Sequence, residues 1–343
     1  MINQKKNTRI TVYGCSEEER PLFEECSKKY GVAINIYAED ISEDTIDYAK
    51  GSSCISINHA VRVTPNMLDM LKEAGVAYIS TRTLGYDHIA RDHAEAIGIK
   101  VENIKFSPNS IADYAIMLIL MATRQVKSLL KRTEVQNYSL PKKAGREIQE
   151  LTVGVIGTGC IGSTVIEHLS GFGTKILAYD LYQRDSIKQY ATYVDLETLL
   201  KESDVITLHM PAVKETRHMI NRKTIEMMKQ DAYIINTGRG SLVDTEALIE
   251  GIESGKLGGA ALDVLENEMQ YLYQDFQDVP LSNFDFALLN SFPNVVITPH
   301  MAFYTEQAVR DIVVNSVENC VIFGNRLESL WINTPKELLK KVI

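Results

Sequence analysis

Short apolar runs alternate with amphipathic helical segments along the first hundred residues of the chain. The apolar runs have the length and β-branched content of buried strands, and the segments between them repeat apolar positions at the helical period. Ser16 and Glu19 form a capping-box pattern, and Pro65 follows Thr64 at a first helical position. The predicted strands are 9–13, 32–37, 54–58 and 78–81, and the predicted helices are 16–29, 42–50, 65–74 and 88–97. Strands that alternate with helices are typical of a parallel sheet covered on both faces.

The pattern changes after residue 104 and then resumes with a second series of strands. Residues 110–132 are predicted to form one long buried helix, because the middle of this segment is apolar on nearly all sides. Six further apolar runs follow a polar stretch, and six parallel strands form a doubly wound nucleotide-binding sheet. These runs are TVGVIG, KILAYD, DVITLHM, AYIINT, GAALDV and NVVITP.

The two series of strands predict two domains of the α/β class. Residues 105–299 are expected to form the nucleotide-binding domain. Residues 1–104 and 300–343 are expected to form a discontinuous second domain, because a last helix at 305–323 would be buried by returning to it. Ligand sites favour domain junctions, so we expect a cleft where the two domains meet.

Composition and charge exclude several classes of protein. The chain has 343 residues, of which 45% are hydrophobic and 24% charged, and the formal net charge of −9 argues against a general nucleic-acid partner. The longest apolar run, 114–122, is too short to span a membrane. The five cysteines form no C-x-x-C motif, which predicts reduced, buried thiols and a cytoplasmic location. The spacing of the seven histidines matches no zinc motif, so no metal is expected.

A glycine-rich loop follows the first strand of the second series. Gly157, Gly159 and Gly162 form G-x-G-x-x-G between an apolar strand and an amphipathic helix, a context that favours dinucleotide binding. Asp180 ends the next strand, 18 residues after Gly162. Its carboxylate would accept hydrogen bonds from the adenosine ribose and repel a 2′-phosphate, so NAD is expected and NADP is not. Arg184, which would favour NADP, is expected to be solvated.

Candidate catalytic side chains follow three of the later strands. Arg239 lies between two glycines, and its guanidinium suits a carboxylate bidentately. Three acids, Asp263, Glu266 and Glu268, follow another strand. His209 and His300 both end buried strands, where an open α/β sheet binds its ligands, so that position alone allows either to be catalytic.

These segments resemble the D-isomer-specific 2-hydroxyacid dehydrogenases over essentially the whole chain. The resemblance rests on VGVIGTGCIG, NTGRGSLVDTEAL, LGGAALDVLENE and NVVITPHMAFYTEQAVRD. The long segment between Glu268 and Pro299 is similar to that of D-lactate dehydrogenases. TVYGC, CISINHA, AGVAYISTR, FSPNSIADY and MLILMA also resemble the D-lactate-forming reductase of vancomycin-resistance operons. The family fold is a flavodoxin-like outer domain, doubly wound and discontinuous, with an NAD-binding Rossmann domain.

The resemblance implies a role for each candidate residue. Arg239 would bind the substrate carboxylate and polarise the carbonyl, His300 would be the acid/base, and Glu268 its partner. The residues expected to contact substrate are Leu84, Gly85, Phe106, Phe303 and Tyr304. The residues expected to bind the cofactor are Gly157, Gly159, Cys160, Ile161, Gly162, Asp180, His209, Pro211, Thr237, Gly238 and Asp263. Phe106 stands where the family commonly has a tyrosine, and Tyr86 where it commonly has a smaller residue.

The predicted function is NAD-dependent reduction of pyruvate to D-lactate. NADH would supply a hydride and protonated His300 a proton, and a carboxylate beside the imidazole favours its protonated form. Three alternatives remain. The protein could be a D-specific reductase of larger 2-keto acids, or a reductase that supplies D-lactate for a D-Ala-D-Lac cell-wall precursor. It could also be an NAD-sensing corepressor without enzymatic activity. The family usually forms dimers, here expected through the helix near 110–132.

Overall fold

The computed structural model describes residues 8–333, which form two compact units. One unit comprises the described residues through Ser107 and those from Thr305 onward, and the other comprises Pro108–Tyr304. The strands are β1 Arg9–Val12, β2 Ala33–Ile36, β3 Cys54–Ile57, β4 Tyr78–Thr81, β5 Lys100–Glu102, β6 Thr152–Ile156, β7 Lys175–Tyr179, β8 Thr192–Tyr193, β9 Val205–Leu208, β10 Ala232–Asn236, β11 Leu257–Leu262 and β12 Val295–Ile297. The α-helices are α1 Glu19–Tyr30, α2 Pro65–Glu73, α3 Arg91–Ala96, α4 Asn109–Thr123, α5 Val126–Glu134, α6 Cys160–Ser170, α7 Leu196–Glu202, α8 Arg222–Met227, α9 Thr245–Glu253, α10 Phe284–Ser291 and α11 Glu306–Asn333.

The first unit is built on a five-stranded parallel sheet in the order β2-β1-β3-β4-β5. This is the flavodoxin-like order of doubly wound sheets, and it confirms the predicted fold class. Side chains alternate between the two faces of the sheet: in β3, Cys54 packs in one cluster, whereas Ile55 and Ile57 pack in the other. The face that includes Cys54 is covered by α1 and by α11.

The second unit contains a seven-stranded parallel sheet in the order β12-β11-β10-β9-β6-β7-β8. Six of these strands follow the order of a Rossmann fold, and β12 adds a seventh beside β11. The glycine loop follows β6, the strand at which the order of the sheet reverses. Because all the strands are parallel, the loops after β10, β11 and β12 meet at one edge of the sheet.

The predicted long helix over 110–132 is wrong, because two helices occupy that segment. Helix α4 ends at Thr123, Gln125 adopts a left-handed conformation with φ of 54°, and α5 begins at Val126. No glycine or proline marks this break. Tertiary contacts accompany it, since the ammonium of Lys127 donates hydrogen bonds to the carbonyl oxygens of Asn290 at 2.8 Å and Val295 at 2.6 Å.

Other local expectations also need correction. The predicted helix at 42–50 is reduced to a 3₁₀ turn at Ile46–Ala49, where the Thr45 hydroxyl accepts a hydrogen bond from the Ser42 amide and competes with helical bonding. Strands β5 and β8 were not predicted, because their three and two residues are too few to show an alternating pattern. Four cysteines are buried as expected, but Cys160 is exposed at the start of α6.

Residues 8–333 contain no helix that is both long and apolar enough to cross a membrane. Within the same residues, no group of three or more histidine, cysteine, aspartate or glutamate side chains has an arrangement that could hold a metal ion.

Candidate active site

A hydrogen-bonded pair of ionisable side chains lies at the carboxyl edge of the second sheet. The Nδ1 atom of His300 lies 2.7 Å from Oε1 of Glu268, and these two side chains are 17% and 15% exposed. Because an ionised carboxylate only accepts hydrogen bonds, Nδ1 carries a hydrogen and donates it to Glu268. The other ring nitrogen, Nε2, is then the atom that can hold and transfer a proton.

Glu268 is fixed by its own backbone partner. Its second oxygen, Oε2, accepts a hydrogen bond from the Leu265 amide at 3.0 Å. Asn267, just before Glu268, has a left-handed backbone with φ of 59°, which turns the chain at this point. One oxygen of the Glu268 carboxylate therefore accepts a hydrogen bond from the backbone and the other accepts one from the imidazole. The two bonds orient both side chains.

Arg239 lies in a tight turn after β10, the strand that neighbours β11. The side-chain amide of Asn236 donates a hydrogen bond to the Arg239 carbonyl at 2.8 Å. A Cβ atom at Gly240 would lie 2.0 Å from the carbonyl carbon of Leu265, so only glycine fits between this turn and the segment that leads to Glu268. The packing at Gly240 thus ties the arginine turn to the backbone that orients Glu268.

The glycine loop after β6 has the close packing that a dinucleotide cradle needs. Gly157 has a φ of 91°, and a Cβ atom at Gly162 would lie 1.9 Å from the Gly157 carbonyl oxygen. Around Gly159, by contrast, the described residues leave open space to 4 Å. The loop therefore approaches its own helix at Gly162 and leaves room for a pyrophosphate at the amino end of α6.

Asp180 braces the glycine loop from the end of β7. Its carboxylate accepts hydrogen bonds from the Thr158 amide at 2.5 Å and from the Tyr182 amide at 2.9 Å. Arg184 is exposed, as predicted, and its amide donates to the Tyr193 hydroxyl at 2.9 Å. A negative charge held here suits ribose hydroxyls and disfavours a 2′-phosphate.

The structure distinguishes the two histidines that end buried strands. His209 lies against the glycine loop, since a Cβ atom at Gly157 would meet its backbone carbonyl carbon at 2.7 Å. Its Nε2 atom lies 2.8 Å from the Thr207 hydroxyl, and burial lowers the pKa of His209 to about 3. Among the described residues, the partner of the neutral His209 ring is a hydroxyl and not a carboxylate, so the ring matches the acid/base role less well than the His300–Glu268 pair.

The remaining predicted cofactor residues occupy the same edge of the second sheet. The Thr237 hydroxyl is buried and makes no hydrogen bond within the part of the chain that the structure describes, and Pro211 is exposed. Cys160 and Ile161 are the first two residues of α6. The Gly238 amide donates a hydrogen bond to the side-chain oxygen of Asn236 at 3.0 Å. The orphaned hydroxyl and the open glycine loop together fit a bound dinucleotide.

The predicted substrate residues fall in both units. Phe303 and Tyr304 follow His300 in the second unit, and their rings meet edge to face at 5.9 Å. In the first unit, Leu84 and Gly85 lie in the loop after β4. Their carbonyl oxygens accept hydrogen bonds from the Asn103 side-chain amide and the Thr83 hydroxyl. Phe106, also in the first unit, is half-buried.

Sequence reasoning missed two residues that hold the segment around His300. The Tyr273 hydroxyl donates a hydrogen bond to the His300 carbonyl at 3.2 Å, and the Thr298 hydroxyl donates to Asp263 at 2.6 Å. Tyr273 lies in the long segment between Glu268 and Pro299, where no periodic pattern marks it. Thr298 stands two residues before His300 in the segment TPH. This proximity is the one sequence signal that could have indicated its role.

Comparison with known proteins identifies the family to which these features belong. The model of the D-isomer specific 2-hydroxyacid dehydrogenase NAD-binding domain matches residues 116–302. The chain belongs to this family of oxidoreductases, and its cofactor is NAD.

Individual relatives differ in the substrates that their names indicate. A D-specific alpha-keto acid dehydrogenase of Enterococcus faecium is 45% identical over 322 residues, covering 94% of this chain and 99% of that protein. An aromatic 2-oxoacid reductase of Clostridium sporogenes is 40% identical over 313 residues, covering 91% and 95%. The structure of the Aquifex aeolicus D-lactate dehydrogenase, complexed with NAD and lactic acid, matches with a TM-score of 0.84 at 34% identity, covering 95% and 100%.

Proposed function

We propose that this protein reduces pyruvate to D-lactate with NADH. The observation that carries the reaction type is the 2.7 Å contact between His300 and Glu268 at the carboxyl edge of the Rossmann sheet. NADH, which the glycine loop and Asp180 would hold, would supply the hydride to the carbonyl carbon. His300 delivers the proton from Nε2 to the carbonyl oxygen, and Glu268 stabilises the imidazolium before the transfer.

Arg239 is the proposed binding group for the substrate carboxylate and the group that polarises the carbonyl. A guanidinium is charged at every working pH and presents donors in a fixed fork, so it can hold a carboxylate while negative charge develops on the carbonyl oxygen. Leu84 and Gly85 are proposed to bind the same carboxylate through their backbone amides. The contact of Asp263 with the nicotinamide, which the family resemblance implies, stays a prediction.

A small substrate is favoured by the rings that follow the acid/base. Phe303 and Tyr304 stand three and four residues after His300. Bulky rings so close to the proton donor favour a substrate with a small side chain, such as the methyl group of pyruvate, over larger 2-keto acids. Discrimination by size in an apolar pocket is modest, about 1–3 kcal/mol per methylene-scale change, so weaker activity on 2-ketobutyrate is expected.

The test is a panel of 2-keto acids assayed with NADH, with the chirality of each product measured. Pyruvate should give the highest kcat/KM, and its product should be D-lactate. A kcat/KM about tenfold higher for phenylpyruvate or 2-ketoisocaproate would refute the pyruvate assignment but leave the reaction type intact. That outcome would favour the second candidate, reduction of larger 2-keto acids, which the 40% identity to an aromatic 2-oxoacid reductase supports. NADH binding without turnover on any keto acid would instead favour a sensor.

We also propose that the protein is a cytoplasmic homodimer that associates through the segment near 110–132. Three apolar side chains on α4 and α5 are exposed in the single chain, namely Met117, Leu129 and Leu130. Leu129 and Leu130 are adjacent in the chain, and contiguous exposed apolar side chains favour association. Sedimentation velocity should give a dimer, and Leu130→Glu should shift it to the monomer. An unchanged dimer would place the interface elsewhere.

A further inference from the structure

A second histidine–carboxylate pair lies in the same unit as His300 and Glu268, and the reaction proposed above does not use it. The Nε2 atom of His218 lies 2.7 Å from Oε1 of Glu266. Because an ionised carboxylate only accepts hydrogen bonds, Nε2 carries a hydrogen and donates it to Glu266. Arg217 approaches the same oxygen at 3.4 Å but is 61% exposed, so water weakens its contact and the imidazole is the stronger partner.

Glu266 connects this pair to the chain that follows Arg239. Its second oxygen, Oε2, accepts hydrogen bonds from the Thr245 hydroxyl at 3.1 Å and the Thr245 amide at 3.4 Å. Thr245 is the first residue of α9, the helix after the arginine turn. The Glu266 backbone is also close to the turn, since a Cβ atom at Gly240 would meet its nitrogen at 2.5 Å. The side chain and the backbone of Glu266 therefore both contact residues 240–245, directly after Arg239.

His218 contacts the same segment through its backbone. Its amide donates a hydrogen bond at 2.8 Å to the carbonyl of Ser241, two residues after Arg239. His218 has a left-handed backbone with φ of 51°, a conformation that surrounding contacts must maintain in a residue with a Cβ atom. The bond from its imidazole to Glu266 is one such contact, and the bond from the Asn221 side-chain amide to its carbonyl at 2.8 Å is another. The imidazole thus helps to hold the backbone that holds the arginine turn.

The contacts of the pair favour an effect on Arg239 over an effect on Glu268. Three contacts of the pair reach residues 240–245, directly after the arginine. Glu268, by contrast, is oriented by two hydrogen bonds in which neither His218 nor Glu266 takes part. Loss of the pair should therefore disturb the arginine turn before it disturbs the acid/base pair.

We propose that His218 and Glu266 are positioning residues for Arg239, which hold its turn so that the guanidinium meets the substrate carboxylate with two parallel donors. This inference rests on the proposed function, in which Arg239 binds that carboxylate. A bidentate contact needs both bonds in line at once, so a displaced turn weakens it more than it would weaken a single bond. Because the carboxylate is bound before and during hydride transfer, the loss should appear mainly in substrate affinity and less in kcat.

The test measures substrate affinity in two variants of the full-length protein. His218→Asn removes the imidazole but retains a residue that tolerates a left-handed backbone, and Glu266→Gln leaves one accepting oxygen for two sets of donors. Each should raise the KM for pyruvate and the inhibition constant Ki of oxamate, an unreactive amide analogue of pyruvate, about tenfold. The kcat should fall by less than about threefold, and the Kd for NADH should change by less than about twofold. Oxamate is the decisive probe, because its affinity reports the carboxylate contact without a chemical step.

A double-mutant cycle and a matched control separate positioning from a general loss of stability. In the Arg239→Lys background, Glu266→Gln should change the Ki of oxamate by less than about twofold, because the forked donor through which it acts is gone. His168→Asn breaks another histidine–carboxylate pair, to Asp113 at 2.8 Å, in which the imidazole has the same 32% exposure as that of His218. This control should leave KM and Ki near wild type. If His218→Asn does not fold, Glu266→Gln and the cycle decide the question.

The outcomes distinguish this inference from the proposed function. An active wild type whose variants keep the KM for pyruvate and the Ki of oxamate within about twofold would overturn the inference alone. A loss of kcat at unchanged Ki would place the effect on the acid/base pair and overturn it as well, and so would an equal rise in Ki with and without the Arg239 guanidinium. A wild type that reduces no 2-keto acid would refute the proposed function and this inference with it.

Discussion

The partly buried imidazole of His209 should make the folded protein sensitive to acid. Burial lowers the pKa of His209 from its usual 6.5 to about 3, because the charged ring would lose its water. Between these two values the unfolded chain binds a proton that the folded chain does not. The stability that the neutral ring contributes is thus fully present above pH 6.5 and is lost as the pH falls from 6.5 towards 3.

The size of the effect follows from the same two pKa values. At about pH 5 the unfolded His209 is almost fully protonated and the folded one is not, which destabilises the folded state by about 2 kcal/mol relative to pH 7.5. His209→Gln removes the titrating ring but keeps a side-chain oxygen that can accept from the Thr207 hydroxyl, now at 2.8 Å from Nε2. Between about pH 7.5 and pH 5, the free energy of unfolding of the variant should therefore fall by about 2 kcal/mol less than that of the wild type.

Urea unfolding at about pH 7.5 and pH 5, followed by circular dichroism, measures this difference directly. Other groups titrate in the same interval, so the quantity of interest is the wild-type loss minus the variant loss. The matched control is His168→Gln, which removes a half-exposed histidine that pairs with Asp113 at 2.8 Å and should not reduce the acid sensitivity. Equal losses in wild type and His209→Gln, within about 0.5 kcal/mol, would show that the ring is not desolvated.

Three further substitutions test the candidate site. His300→Ala should lower kcat about 10²-fold or more while NADH binding stays near wild type in a fluorescence titration; retained turnover would exclude it as the acid/base. Asp180→Ala should raise the KM for NADH and improve relative use of NADPH, since a ribose acceptor and a repulsive charge both disappear; unchanged kinetics with both cofactors would show that Asp180 does not meet the ribose. Gly240→Ala would place a Cβ atom 2.0 Å from Leu265 and should destabilise the protein by about 1–3 kcal/mol in urea unfolding and reduce kcat; wild-type stability would mean that this packing yields easily.

The parts of the fold that could be predicted from the sequence are those encoded by local patterns. Buried parallel strands are continuous apolar runs, and β4 was predicted at the bounds that the structure has. The Ser16 and Glu19 capping pair exchanges its two hydrogen bonds, and the Thr64 hydroxyl accepts the Met67 amide ahead of α2. Each of these signals depends on residues within a few positions of one another.

The parts that could not be predicted depend on contacts between distant segments. The break between α4 and α5 coincides with bonds from Lys127 to carbonyls more than 160 residues away. The bonds of Asp263 join segments that are 35 to 39 residues apart. The sequence identified Asp263 as one of three acids after a strand, but it did not indicate that its carboxylate would hold the segment around His300.

Three of the seven non-glycine residues of the second unit that have a left-handed backbone lie around the proposed acid/base pair. Asn267, Tyr273 and His300 all have left-handed backbones, with φ of 59°, 57° and 54°. Asn267 adjoins Glu268, and the Tyr273 hydroxyl bonds to the His300 carbonyl. Such conformations cost about 1–3 kcal/mol each and are retained where they serve a site. The cost is offset by the strands behind the site, since Ala261, Leu262 and Val295 are almost wholly buried. A well-packed sheet edge thus accommodates a strained segment at the proposed site, and the hydrogen bonds of Asp263 connect the two.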